Sequence, residues 1–123
     1  MKNYILIVED TKLLAESIAD MLEMEDFKVK IAKNGIVALN MMTTEIPNMI
    51  ITDLLMPEMD GLSFIRNVRS DERYRAIPII VLTADASEES SQAGKEAGAD
   101  LLLTKPFDDD YLMDSIFRML TNE

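Results

Sequence analysis

Apolar residues along this chain follow two rhythms. Nearly continuous runs rich in Ile and Val occur at Tyr4–Val8 (YILIV), Met49–Thr52 (MIIT) and residues 77–82 (IPIIVL), the pattern of strands buried on both faces of a parallel sheet. Residues 28–33 (KVKIAK) instead alternate lysine with Val29, Ile31 and Ala32, and residues 100–103 (DLLL) form a short run that begins with an acid. These two segments read as sheet edges. Between the runs the spacing becomes helical. Over residues 11–25, Leu14, Ile18, Met21 and Leu22 fall at i, i+4, i+7 and i+8, and Leu112, Ile116, Met119 and Leu120 repeat that spacing over residues 108–120.

The last helix has a legible start: Asp108 as N-cap, Asp109 and Asp110 in the first turn, and Phe107 placed to staple onto Leu112. A helix over about residues 34–44 must end before Ile46-Pro47, because the residue before proline avoids the helical region. Another follows Gly61 and uses Leu62, Ile65 and Val68. The helix over residues 87–97 has the least to bury and carries Gly94 inside it, so it is the element expected to move most easily.

The order is thus strand then helix, five times, with no internal linker, repeat or low-complexity tract. Such alternation predicts an α/β fold in which helices cover both faces of a parallel five-stranded sheet through right-handed crossovers. With the continuous apolar runs in the middle, the expected arrangement is a (βα)5 doubly wound, flavodoxin-like sandwich with strand order 2-1-3-4-5. At 123 residues the chain has the size of one domain, 1–123.

Composition narrows the chemistry. There is no cysteine, hence no disulfide framework and no thiolate, and no histidine, hence no imidazole base or ligand. A net charge of -11 argues against direct nucleic-acid binding and favours cationic partners or a divalent metal, although solubility alone also accounts for it. No apolar run approaches the roughly 20 residues of a membrane helix, and residues 1–3 lead into a strand rather than a signal peptide. The expectation is a cytoplasmic protein.

Ligands bind such sheets at the carboxyl ends of the strands. There the sequence places Glu9 and Asp10 after the first strand, Asp53 at the third, Thr83 after the fourth and Lys105 just past the fifth. Taken singly, Asp10 or Thr11 could cap a helix, Thr83 could be a turn hydroxyl and Lys105 a surface lysine. Asp53 has no such account: it follows a run that should be buried, and Pro57 and Asp60-Gly61 separate it from the next helix. Three acids converging on one point need a cation, and an all-oxygen set suits Mg2+, with Mn2+ as its substitute. A carboxylate beside such an ion can attack phosphorus and form an aspartyl phosphate, with Lys105 and Thr83 cradling the transferred group.

Glu9-Asp10, Asp53, Met56-Pro57 with Asp60-Gly61, Thr83-Ala84, Gly98-Ala99-Asp100 and Lys105-Pro106-Phe107 together resemble the signature of the receiver domain of two-component response regulators. The resemblance covers the chain from Ile5 to about Leu120 and extends to the single-domain chemotaxis regulators. It implies that Asp53 is the phosphoacceptor, that Asp10 binds Mg2+ directly and Glu9 through water, and that the Leu55 carbonyl is a further ligand. It implies that Thr83 and Lys105 sense the phosphoryl group, and that Lys105-Pro106 is cis. A sensor histidine kinase or histidine phosphotransfer protein would supply the phosphoryl group, and a downstream protein target, not nucleic acid or a membrane, would read the switch. In this family the position three before the lysine is commonly aromatic; here it is Leu102. Leu55 and Asp85, two residues after Asp53 and Thr83, should flank the path of a hydrolytic water. No effector domain follows residue 123, which fits either a stand-alone regulator or an excised receiver.

Three other classes share parts of this pattern. An aspartate-nucleophile phosphatase of the haloacid-dehalogenase type needs a second acid where Leu55 stands. A flavodoxin-type carrier needs hydroxyls and amides where the first loop is acidic. A binding module that keeps the fold without phosphorylation has no reason to keep Glu9, Asp10, Asp53, Thr83 and Lys105 together.

Overall fold

The computed structural model describes residues 3–54 and 59–121. Along the chain it runs β1 (Tyr4–Val8), α1 (Lys12–Met24), β2 (Lys28–Ala32), α2 (Gly35–Met42), β3 (Met49–Thr52), α3 (Gly61–Ser70), β4 (Ile79–Thr83), α4 (Glu88–Ala97), β5 (Leu101–Thr104) and α5 (Asp109–Thr121). The strands form one parallel sheet in the order β2-β1-β3-β4-β5. The three continuous apolar runs are therefore central, and every residue of β1, β3 and β4 is buried. Helices cover both faces because side chains alternate along each strand. Leu6, Val8, Ile50, Ile79 and Val81 join α2, α3 and α4, while Ile5, Ile7, Met49, Ile51 and Ile80 join α1 and α5.

Two strand starts differ from the sequence expectation, and hydrogen bonding explains both. The fourth strand begins at Ile79, not at residue 77, because Pro78 offers no N–H and Ile77 N donates to Tyr74 O in a turn. The fifth begins at Leu101. The Asp100 carboxylate ahead of it accepts from Ile79 N at 2.8 Å and from the Arg69 guanidinium at 2.9 Å. Arg69 also donates to Gly98 O, Arg75 O and Ile77 O, so one α3 side chain ties together the turns that precede β4 and β5. Gly98 sits at φ 124, a conformation that favours glycine.

Helix starts follow local chemistry. Asn34 accepts from Val37 N, Asp60 from Ser63 N and Ser87 from Ser90 N. Asp108 accepts from Asp110 N and Tyr111 N ahead of α5, and Phe107 and Leu112 pack in the same core layer. Thr11 stands at the N-cap position of α1 without a side-chain cap bond; its own N–H goes to Glu9 Oε2.

Gly61 is where α3 meets the end of β3. Its N–H donates to Leu54 O at 2.8 Å, and a Cβ there would lie 2.2 Å from Asp53 O and 2.5 Å from Leu54 Cα. The obstacle is backbone, so Gly61→Ala has to push the helix away from the Asp53 segment. Urea denaturation should show a loss of about 1–3 kcal/mol. An unchanged midpoint would mean that the β3–α3 junction yields without cost.

Candidate functional site

Backbone bonds just past the last paired residues bring the site together. Val8 is level with Ala32 on β2 and with Thr52 on β3. Beyond it Glu9 N donates to Ala32 O and Asp53 N to Val8 O, which sets the two carboxylates side by side. On the other flank Thr83 is level with Thr104, and Lys105 N donates to Thr83 O at 2.7 Å. A Lys105-Pro106 peptide in the cis form follows at once.

The Lys105 ammonium lies between two buried acids. Its Nζ is 2.9 Å from Asp53 Oδ2 and 3.2 Å from Glu9 Oε1, while Glu9 is 4 % and Asp53 8 % exposed. Leu54 N donates to Asp53 Oδ1 at 2.6 Å, and Thr11 N to Glu9 Oε2 at 3.1 Å. Burial raises the Glu9 carboxyl above its ordinary pKa and the Asp53 charge adds to that; the Thr11 N–H and Lys105 hold it back. Burial works against the charged form of Lys105, but its bond to Asp53 and the charges of Asp53 and Glu9 outweigh that and leave the amine raised.

Asp10 is exposed and completes the acidic group: carboxylate oxygens of Glu9, Asp10 and Asp53 all lie within 4.8 Å of one another. These residues could hold a metal ion. The donor set consists only of oxygens, which suits a hard divalent cation, and the Lys105 ammonium pairs with two of the three acids. The Leu55 carbonyl expected to join them lies outside the described residues, as do Met56 and Pro57.

Thr83 is fully buried, and its Oγ1 accepts from Asp85 N at 3.2 Å. The hydroxyl proton of that side chain is not used by this bond, so it can still donate to an oxyanion.

The family model of the response regulator receiver domain matches residues 5–117. The chain belongs to the response regulator receiver family. The response regulator Rre1 of Synechocystis is 33 % identical to it over 120 residues, 97 % of this chain but 52 % of Rre1. The chain thus spans about half the length of this curated relative. A receiver domain of a signal transduction histidine kinase from Syntrophus aciditrophicus superposes with a TM-score of 0.92 at 35 % identity, covering 98 % of this chain and 91 % of that one. So does the receiver domain of the sensor histidine kinase PA1611 from Pseudomonas aeruginosa, with a TM-score of 0.90 at 30 % identity, covering 98 % and 99 % of the two chains. That protein was solved with a magnesium ion coordinated in its active site cleft. As a receiver, the chain is a signalling domain of two-component systems rather than an enzyme in the ordinary sense. Receiver domains interact with histidine kinases or phosphotransfer proteins. No helix among the described residues is long and apolar enough to cross a membrane.

Two features of this receiver were not foreseen from sequence. Asp85, expected beside a water path, is engaged in starting α4: its carboxylate accepts from Ser87 N at 2.9 Å and from the Ser90 hydroxyl. These bonds hold its carboxyl below the ordinary range, the Ser90 bond most of all. The D-x-S-x-x-S spacing of Asp85, Ser87 and Ser90 was the available signal. Leu102, at the position usually aromatic, packs with the α3/α4 layer, and a Cβ on Gly94 would meet its Cδ1 at 3.0 Å. The glycine that weakens α4 is thus also the hollow that seats Leu102.

Because the Lys105 pKa is raised in the fold, its contribution to stability is fully present below the unfolded value and disappears as pH rises through the folded one. Without added metal, the parent should therefore lose stability above pH of about 10.4 more steeply than Lys105→Met. Urea midpoints at a series of alkaline pH values test this. Parallel curves would mean that the ammonium does not lean on the two carboxylates.

Proposed function

We propose that Asp53 accepts a phosphoryl group from a phosphohistidine of a sensor histidine kinase or histidine phosphotransfer protein. The observation that carries this reading is the convergence of Glu9, Asp10 and Asp53 within 4.8 Å, with Lys105 Nζ bridging two of them. An Asp53 oxygen attacks phosphorus in line and a P–O bond forms. The P–N bond breaks, and its electron pair returns to the imidazole nitrogen, which takes a proton from water. Lys105 offers its ammonium to the equatorial oxygens, and Thr83 its hydroxyl. Glu9, Asp10, Asp53 and the Leu55 carbonyl would hold Mg2+, with Mn2+ as a substitute, whose charge offsets that of the incoming phosphoryl oxygens. The domain in this sense catalyses its own phosphorylation and, by admitting water along the reverse line, its own dephosphorylation.

Residues 1–123 act in this reading as one receiver, located in the cytoplasm. Phosphorylation adds about -1.5 to -2 of charge to an acidic rim and biases the nearby backbone. Thr83 exchanges its present surroundings for the phosphoryl oxygen, and the strain passes into the Ala84 to Ser87 segment that Asp85 anchors. A protein target, rather than nucleic acid, reads that change; the net charge of -11 supports this.

Intact mass after incubation with acetyl phosphate tests the reaction. One phosphoryl group should appear only with Mg2+ present and should be absent in Asp53→Asn. Metal-independent labelling, or labelling that survives that substitution, would place the chemistry elsewhere.

The metal has a separate readout. Since the three carboxylates repel one another, Mg2+ should raise the melting temperature of the unphosphorylated protein, and Asp10→Ala should abolish most of that rise. An equal rise in the variant would put the ion at another site.

A further inference from the structure

A second cleft lies at the opposite end of the sheet from the acidic rim. It has a volume of about 790 Å3 and opens between α5 and the turns that lead into β4 and β5. Three arginines line it, Arg69, Arg75 and Arg118, in a chain whose net charge is -11. They are not equivalent. Arg69 is committed to three carbonyls and to Asp100, the one acid in the lining, which it meets at 2.9 Å. Arg75 and Arg118 are exposed. Among the described residues the Arg75 guanidinium has no hydrogen bond or ion pair, and that of Arg118 has only a 3.5 Å contact with Ser115 Oγ. Asp114, one turn before Arg118 on α5, makes no ion pair with it. Two planar forks of donors thus face one cleft without an anion among the described residues to satisfy them.

The rest of the lining is not suited to a bare anion. Tyr111, 47 % exposed, lends the cleft an aromatic surface, and Leu101, Met119 and Pro78 give it apolar walls. Its volume falls in the range of about 300–1,000 Å3 typical of small-molecule sites. A ligand that uses all of this has a phosphate for the arginines and a flat ring for the tyrosine. The strongly acidic character of the whole chain penalises a polymer of phosphates far more than a single one.

We propose that this cleft binds a nucleoside monophosphate, with the phosphate between Arg75 and Arg118 and the base against Tyr111. The proposal is independent of the chemistry at Asp53. Its ligand would act on the face formed by β5 and α5, so occupancy offers a second input to the same domain.

Backbone amide shifts recorded during a titration of the full chain with GMP, in chelator and without Mg2+, test this. Saturable changes should appear at Leu101, Tyr111, Ser115 and Met119 and be absent from Ala84 to Ser87. Arg75→Ala and Arg118→Ala, both at exposed positions, should each weaken binding by about tenfold. Tyr111→Ala should weaken GMP while leaving the weaker binding of ribose 5-phosphate unchanged. The proposal fails if GMP does not saturate, if inorganic phosphate binds as tightly as GMP, or if the changes fall at the acidic rim. It fails equally if a glutamate-rich peptide saturates these amides and GMP does not, since the cleft would then be a protein-docking surface.

Discussion

Burial of two adjacent carboxylates against one ammonium is the constraint around which this domain is arranged. Glu9 and Asp53 stand at the ends of neighbouring strands, nearly out of water, where an unpaired charge is costly. Lys105 reaches them from beyond β5, across β4, and its amine is raised because both acids hold its proton. One positive charge cannot balance Glu9, Asp10 and Asp53 together. The residual negative charge is what lets these three residues hold a divalent cation.

Much of the surrounding architecture serves to hold those three side chains. Glycine at position 61 lets α3 start directly against the Asp53 backbone, and ladder bonds continue one residue past β1, β3 and β5 to place Glu9, Asp53 and Lys105. By contrast, the region expected to respond is lightly held. Gly94 and Ala97 are the buried residues of α4, and its amino end depends on Asp85, Ser87 and Ser90 for hydrogen bonds. Few buried residues and a cap made of polar groups that are at most partly buried describe a helix whose position is inexpensive to change. Leu102, partly buried, packs against α4, where a Cβ on Gly94 would meet its Cδ1 at 3.0 Å.

Charge is distributed unequally between the two ends of the sheet. Acids crowd the carboxyl end, where Lys105 is the compensating group, while Arg69, Arg75 and Arg118 gather at the amino end of β4 and β5. Arg69 shows what an arginine does there when it is structural: its Nε, Nη1 and Nη2 all donate to carbonyls or to Asp100. Arg75 and Arg118 differ by having their forks turned to an open cleft. That contrast within one cluster separates a residue that builds the turns from residues available to a ligand.

The sequence by itself determined the element order, the central and edge strands and the set of residues at the strand ends. It could do so because periodicity of 2 and 3.6 and continuous burial are local properties, readable from spacing alone. Family resemblance rests on the same ordered residues. The tertiary structure decided what spacing does not encode: that Lys105, 52 positions from Asp53 and 96 from Glu9, touches both. It decided that strands begin at Ile79, after Pro78 and the turn closed by Ile77 N, and at Leu101, after the Asp100 carboxylate that takes the Ile79 N–H. It also assigned Asp85 to the cap of α4 and Leu102 to the hollow at Gly94. Each of these depends on which partner a polar or apolar group meets after the chain has crossed the sheet, and that partner is fixed by packing rather than by its neighbours in sequence.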